Sequence, residues 1–456
     1  MAFTDFVDTF ASNLNKVTMN ELNRIKVVLV EHKQTGKWLA EQLGVSVTTT
    51  SRWCSNAAQP DLSTFVKIAS LLDVDVKDLI VSTKKKLVMK HTIYFNAAQN
   101  MSQLDDNSVD LVVTSPPYPM IEMWDDILGN QNPEINVALK ENKPRQAFEL
   151  MHSELDKVWA ECWRVLKDGS FLCINIGDAT RTINGEFALY NNNTRIIQSC
   201  EKLGFTNLPN ILWKKTTNAP NKFMGSGMLP CGAYVTLEHE WILIFRKGSK
   251  RAYKKASEKD ARRDSSFFWE ERNIWFSDIW EIKGVRQTID KAPSRERNAS
   301  YPLELPYRLI NMYSQKGDVV LDPFMGLGTT ALAAILCERS SVGFEIDVLL
   351  KPLLKDIVNS VDEVKANSLI RDRYTKHVTF VNDRVSQGKD VKYDNAHLQC
   401  KVMTKQETDL TFHYLKNVVL CNEDNELVFE SSYYHDRALN NFPMSEKGSL
   451  FEEDDD

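Results

Sequence analysis

No run of apolar residues in this chain approaches the roughly 18 to 20 that a membrane span needs. The opening Met1-Ala2-Phe3-Thr4-Asp5 lacks the basic-then-apolar pattern of a secretory leader. These absences point to a soluble, cytoplasmic protein with no membrane partner. The 8 cysteines form no Cys-x-x-Cys pair and no Cys/His cluster at zinc spacing. A disulfide framework and a zinc site are therefore not expected, and the thiols read as reduced and mostly buried. Excess positive charge is also missing: the formal net charge is -6. Part of that comes from Glu452-Glu453-Asp454-Asp455-Asp456, expected as a solvated tail. Net charge hides patches, however, and residues 246–263 are dominated by Lys and Arg, a candidate phosphate-contacting surface. No internal repeat is visible. What remains is an ordinary globular composition, 43% hydrophobic over 456 residues, enough for two to four domains.

Residues 1–83 read as a compact helical head. Glu21 to Glu31 has helical apolar spacing through Leu22, Ile25, Val28 and Leu29. Gly44 stops the next helix and Ser46 caps the one after it, 47–56, with further helices at 62–72 and 76–80. This pattern resembles the helix-turn-helix of phage repressors, with Leu39, Ala40, Trp53, Pro60, Ile68, Ala69 and Leu71 at core positions. The resemblance implies that 47–56 is a recognition helix presenting Thr48, Thr49, Ser51 and Arg52 to a major groove. The bland alternative is a helical bundle that binds no DNA.

After a basic stretch at Thr83-Lys84-Lys85-Lys86, strand and helix patterns alternate over 84–365. Strands are expected at 92–95, 109–114, 170–176, 211–213, 241–245, 319–321 and 341–345, with helices at 154–166, 194–203 and 329–337. That alternation predicts a largely parallel sheet covered on both faces. Ligands then bind beyond the carboxyl ends of the strands. Residues 366–456 read as a small β-rich appendage, with short strands at 378–381, 398–403, 410–414, 418–421 and 427–429. Gln131 to Lys143, polar and weakly patterned, reads as a mobile loop.

Two segments lie where buried strands end. Asp322-Pro323-Phe324-Met325-Gly326-Leu327-Gly328-Thr329-Thr330 follows one strand and opens a helix. Its glycines let a ligand approach the backbone, and the free amides at the helix start favour polar groups. Glu345 ends the next strand, where a carboxylate can accept both hydroxyls of a ribose. No Gly-Lys-Ser/Thr follows, which argues against a triphosphate loop. Thr114-Ser115-Pro116-Pro117-Tyr118 is stiffened by two prolines that also remove two donors. Its carbonyls and the Ser115 hydroxyl suit both hydrogens of an exocyclic amine, and Tyr118 offers a flat face for a base.

These segments resemble motifs of the DNA amino-methyltransferases, which use S-adenosylmethionine. The likeness runs over most of 91–350, and catalytic motif first, cofactor motif second matches the permuted β group of that family. The resemblance implies a Rossmann-like methyltransferase sheet. Asp322, Phe324, Gly326, Gly328, Thr329 and Glu345 would hold the cofactor, and Tyr301 and Pro302 would pack on it, within Arg297-Asn298-Ala299-Ser300-Tyr301-Pro302. Ser115, Pro116, Pro117 and Tyr118 would hold a base flipped out of double-stranded DNA. Asn175-Ile176-Gly177-Asp178 and Glu238 to Lys247 resemble further motifs. Asn96 departs from the family, which often has an acid there contacting adenine.

Ser-Pro-Pro-Tyr resembles the cytosine-N4 variant, and adenine-N6 stays open. Cytosine-C5 chemistry is disfavoured because Pro230-Cys231 lies upstream of the cofactor motif. The region 246–295, with Lys250, Arg251, Lys254 and Lys255 beside Phe267, Phe268, Trp269, Trp275, Phe276 and Trp280, is the candidate target-recognition region. A buried aromatic core under a solvated basic face is the alternative. The implied protein is a site-specific, nucleoid-associated enzyme with a possible cognate restriction endonuclease. The rival from another class is a helix-turn-helix regulator whose enzyme domain is inactive.

Overall fold

The computed structural model describes residues 22–80, 87–215, 224–225, 227–284 and 301–434. The expectations for the basic linker, for Arg297 to Ser300 and for the acidic tail lie outside these residues. The chain divides into two units, Met1–Lys86 and Leu87–Asp456.

In the first unit, helices α1 (Ile25–Glu31), α2 (Gly36–Leu43), α3 (Val47–Cys54) and α4 (Leu62–Leu72) are followed by a 3-10 turn at Val76–Leu79. Each of α2 to α4 starts at a side-chain cap: Thr35 accepts from Trp38 N, Ser46 from Thr49 N and Asp61 from Thr64 N. Gly44 ends α2 in the left-handed region at φ 66°. The helices close over Ile25, Leu39, Trp53, Phe65, Ile68 and Leu72. Leu71, expected inside, is exposed. Leu72, one residue on and about 100° round the helix, takes the core position.

Among the described residues, the second unit is an eleven-stranded mixed sheet with helices on both faces. In chain order its main elements are β1 (Val88–Tyr94), β2 (Val109–Thr114), α5 (Pro144–Val165), β3 (Leu166–Ile176), the hairpin β4 (Ala179–Ile183) and β5 (Glu186–Tyr190), and α6 (Asn192–Leu203). Then come β6 (Ile211–Lys214), β7 (His239–Arg246), β8 (Ile279–Glu281), α7 (Glu304–Tyr313), β9 (Val319–Asp322), α8 (Thr329–Leu336) and β10 (Ser340–Phe344). The last are α9 (Glu363–Ser386), β11 (Leu415–Asn422) and β12 (Glu426–Tyr433). Ten strands follow the order β8-β6-β7-β3-β2-β9-β10-β1-β12-β11, and a short strand at Thr206–Asn207 pairs with β7. Strands β3, β2, β9, β10 and β1 run parallel; β7 runs antiparallel to β3.

Strand alternation sorts the core into two layers. Leu111, Val113, Ile242 and Ile244 face Leu305, Leu309, Ala333 and Leu369 of α7, α8 and α9. Val112, Leu172, Leu243 and Phe245 face Leu155, Val158, Trp159 and Ile196 of α5 and α6. Each Val, Leu, Ile or Phe among these contributes roughly 1.5–3 kcal/mol when buried.

Several expectations fail; besides Leu71, residues 410–414 form no strand. Residues 378–381 lie inside the 24-residue helix α9 rather than a strand; β-branched residues there are tolerated because α9 packs on the sheet. Gln131 to Lys143 is no loop: Asn132 caps a helix, Pro133–Lys140, by accepting from Glu134 N at 3.1 Å, with Pro at its first position. The strands at 418–421 and 427–429 exist, but they do not form an appendage. They belong to a hairpin that continues the main sheet through β12–β1 pairing. His91 of β1 ties this junction, reaching Ser341 of β10 at 2.8 Å and Ser431 of β12 at 2.9 Å. Burial pushes its pKa down to about 3, so it sits there neutral. Among the described residues no helix is long and apolar enough to cross a membrane.

Candidate active site

Strand β2 delivers Thr114 to the carboxyl edge of the sheet, where its pairing with β3 stops at Ile174. Pro116 and Pro117, both buried, cannot extend it. The ring of Tyr118 then lies against the backbone at the end of β3. A Cβ on Gly177 would sit 2.9 Å from Tyr118 Cε2, so this close approach needs glycine. The Tyr118 hydroxyl donates to Glu240 Oε2 at 2.7 Å and accepts from Asn175 Nδ2 at 2.8 Å. Asn175 Nδ2 also donates to Glu240 Oε2 at 2.7 Å and lies 3.4 Å from Ser115 Oγ. The second oxygen of Glu240 pairs with Lys215. Burial and the Glu240 charge push the Tyr118 pKa well up, so the phenol stays protonated. Among the described residues, Asn175 Oδ1 is buried without a hydrogen-bond partner.

The glycine-rich turn lies at the end of the neighbouring strand β9. Gly326 (φ 52°) and Gly328 (φ 81°) occupy the left-handed region, which a side chain would strain. Glu345, at the end of β10, accepts from Gly326 N through Oε2 and from Asp347 N through Oε1, each at 2.8 Å. The half-buried carboxylate thus holds the turn while each oxygen keeps a lone pair for a further donor. Burial pushes its pKa up to about 7 against the pull of those two amides. Phe324 packs edge-on to Trp159 with ring centroids 6.1 Å apart. Thr329 opens α8, and Pro302 is buried ahead of α7. Asn96 is half-buried two residues past the end of β1, whose Tyr94 carbonyl accepts from Glu345 N.

One hydrogen bond joins the two bends. Thr114 Oγ1, immediately before Ser115, donates to Asp322 Oδ1 at 2.6 Å. Asp322 also accepts from Phe324 N at 3.0 Å, from Thr330 Oγ1, and from the Tyr301 hydroxyl at 3.3 Å. All its visible acceptor capacity goes to the protein and it is 1% exposed. Asp322 is therefore buried beneath the site and engaged by protein donors. The same is true of Tyr301, whose hydroxyl is shared with Thr330. Burial pushes the pKa of Asp322 up, despite its four donors.

The basic segment expected to face DNA lies at the opposite edge of the sheet from this site. Strand β7 is antiparallel to β3. Its start, Trp241, is level with Ile176 at the site, while its end, Arg246, is level with Phe171. The chain therefore reaches Lys250, Arg251, Lys254 and Lys255 at the opposite edge, roughly 20 Å of strand away. Arg251 is further engaged by Asp318 (2.9 and 3.3 Å) and lies 3.5 Å from Asp110. Lys250, Lys254 and Lys255 are exposed. Of the aromatics in that region, Phe268, Trp275 and Trp280 are core residues, with Trp280 Nε1 donating to Trp275 O.

Asn175, Gly177 and Glu240 were noted only within segments that resemble further family motifs, without roles, and Lys215 was not singled out from the sequence. The available signal was a lone polar residue at the end of an otherwise apolar strand, Asn175 after Leu172-Cys173-Ile174. On the head, Thr48, Ser51 and Arg52 are exposed on α3, and Thr49 is half-buried with its hydroxyl 2.8 Å from Ser46 Oγ.

A mixed sheet whose central strands are parallel, carrying a glycine turn ahead of a helix, an acid at the end of the next strand and a Ser-Pro-Pro-Tyr bend beside them, defines an S-adenosylmethionine-dependent methyltransferase fold. Residues 109–355 match the family model described as DNA methylase, and residues 24–85 match the Cro/C1-type HTH DNA-binding domain. The Type II methyltransferase M.MthZI of Methanothermobacter thermautotrophicus is 47% identical over 326 residues, 71% of this chain and 90% of that protein. The Type II methyltransferase M.MjaI of Methanocaldococcus jannaschii is 51% identical over 281 residues, 59% of this chain and 91% of its own. A Thermus thermophilus protein solved with S-adenosyl-L-methionine is 30% identical, with TM-score 0.46, over 59% of this chain and 92% of that one. The chain belongs to the N6/N4 DNA methylase family, as a Type II DNA methyltransferase using S-adenosylmethionine and carrying a helix-turn-helix head.

Proposed function

We propose that this enzyme methylates the exocyclic N4 of cytosine at a specific site in double-stranded DNA, as the modification partner of a restriction endonuclease. The observation that carries the reading is the Thr114–Asp322 hydrogen bond at 2.6 Å. It ties the bend suited to an amine to the bend suited to a cofactor. The residues present fit the cofactor: the glycine turn leaves its backbone open, with no atom closer than 4.0 Å to a Cβ built on Gly326. Glu345 keeps lone pairs for ribose hydroxyls. Gly326, Gly328, Thr329, Phe324 and Glu345 would hold it, and Asp322, Tyr301 and Pro302 would brace them. When bound, S-adenosylmethionine supplies an electrophilic methyl group.

The chain's own residues position the amine. The Ser115 hydroxyl and the carbonyls of the proline bend accept the two N4 hydrogens, drawing the lone pair out of conjugation with the ring. Tyr118, clamped by Glu240 and Asn175, stacks on the base. Asn175 Oδ1 is an acceptor for which the described residues supply no donor, which suits a substrate amine. No nucleophilic side chain is required; catalysis comes from orientation and preorganised dipoles. Serine at 115, rather than an Asp or Asn, supports cytosine over adenine. Exposed Thr48, Ser51 and Arg52 support DNA contact by the head.

The test is radiolabelled methyl transfer to DNA, followed by nucleoside mass analysis. 4-methylcytosine is the expected product. 6-methyladenine would overturn the choice of base. No transfer to any DNA tested would favour a regulator.

A further inference from the structure

Two loops rise from the carboxyl edge of the sheet directly beside the Tyr118 site. One is the β4–β5 hairpin, which starts two residues after Gly177, the residue under the Tyr118 ring. The other is the segment 227–238, which runs into β7 just ahead of Glu240. The loops meet through a stacked pair, Phe187 and Tyr234, with ring centroids 4.6 Å apart and planes 12° apart. On the same two loops, Leu189 is 41%, Met228 82%, Leu229 69% and Val235 83% exposed.

The described parts of these two loops carry little positive charge. Residues 227–238 contain no Lys or Arg. The hairpin has one, Arg181, and both its terminal nitrogens are bound to Asp125 at 2.9 and 2.7 Å. Aromatic and aliphatic tips of this kind suit bases rather than the phosphate backbone. Taking a base out of the stack leaves an apolar gap in the duplex, and apolar side chains are the groups that enter opened base steps.

We infer that Phe187, Leu189, Met228, Leu229, Tyr234 and Val235 form an apolar wedge that occupies the DNA stack at the position the target base leaves. This rests on the base-extrusion reading above and adds the surface that carries it. The wedge stabilises the extruded state on the duplex side, while Ser115 and Tyr118 hold the base on the other.

The test uses the full chain, its own site established by methylation of genomic DNA, and two synthetic duplexes. In one the target base is paired; in the other it faces an abasic position, so extrusion is already easy. Tyr234→Ser combined with Phe187→Ser should lower kcat/KM on the paired duplex by about tenfold or more, from the worth of one to two lost stacking contacts. On the abasic duplex the loss should shrink to about twofold. Unchanged S-adenosylmethionine affinity confirms that the variant is folded. Equal losses on both duplexes, or none on either, overturn the wedge. A shift in sedimentation without a change in duplex discrimination overturns it too, by assigning the surface to a second copy of the chain. A wild-type chain that methylates neither duplex refutes the enzyme reading instead.

Discussion

Replacing Asp322 separates a strut from a ligand contact. Asp322→Ala removes the acceptor for four donors: Thr114 Oγ1, Phe324 N, Thr330 Oγ1 and the Tyr301 hydroxyl. Tyr301 and Thr330 retain each other. Phe324 N and the Thr114 hydroxyl lose the carboxylate, and a buried group without its partner costs about 1–3 kcal/mol. The alanine variant should therefore be destabilised by up to about 2–6 kcal/mol, the sum over those two groups, less the relief from removing a buried charge. Asp322→Asn behaves differently. Burial already holds the carboxyl's pKa up, so its charge is a net cost at neutral pH, and the amide relieves that cost. Its oxygen still serves Thr114 and Phe324, and the Thr330 and Tyr301 hydroxyls can turn to accept from its nitrogen. The expected change is within about 2 kcal/mol. Urea midpoints at unchanged m-value measure both, and calorimetric titration with S-adenosylmethionine measures the site. The asparagine variant should be near wild type in stability and bind the cofactor within a few-fold. If it folds as well as wild type yet loses binding altogether, Asp322 touches the ligand and the strut account is wrong.

Three further outcomes follow from the same geometry. Gly177→Ala, by pushing a Cβ against Tyr118 Cε2, should cut kcat by up to about 100-fold while cofactor affinity holds; an unchanged kcat would show that the ring position is unimportant. Glu345 has its pKa raised by burial to about 7. Ribose hydroxyls need the carboxylate, so cofactor affinity should fall as pH drops through about 7, and Glu345→Gln should flatten that profile; a flat wild-type profile across roughly pH 6 to 8 contradicts the role. His377 presents Nδ1 to Glu270 at 2.7 Å and Nε2 to the Lys401 carbonyl at 2.8 Å. Desolvation opposes its charge, but hydrogen bonds to Cys400, Glu270 and Lys401 win and raise its pKa to about 10. A cation favoured in the fold stabilises fully below the unfolded pKa of about 6.5 and is lost as pH rises through about 10. Urea midpoints should fall over that window in the wild type and not in His377→Gln; parallel curves would refute the linkage.

The letters of the chain were enough for much of what local chemistry controls, though the Asn132-capped helix was read as a loop. Capping residues and Gly44 marked the head's helices. Apolar runs marked the strands, and the two bends at strand ends were legible because proline and glycine restrict the backbone wherever they occur. Strand direction was not legible. An antiparallel β7 reads like a parallel one, since side-chain alternation is the same in both. Only pairing with β3 revealed that Lys250 to Lys255 emerge at the far edge. Nor could the sequence show that residues 415–433 join the main sheet, because that depends on His91 meeting Ser431 some 340 positions away. The contacts that complete the site, Tyr118 with Glu240 and Thr114 with Asp322, span 122 and 208 positions. The amino acids set which groups were present and how the backbone bends at each. Packing of distant strands decided which of those groups touch, because long-range pairing is chosen by the whole core and not by any one segment.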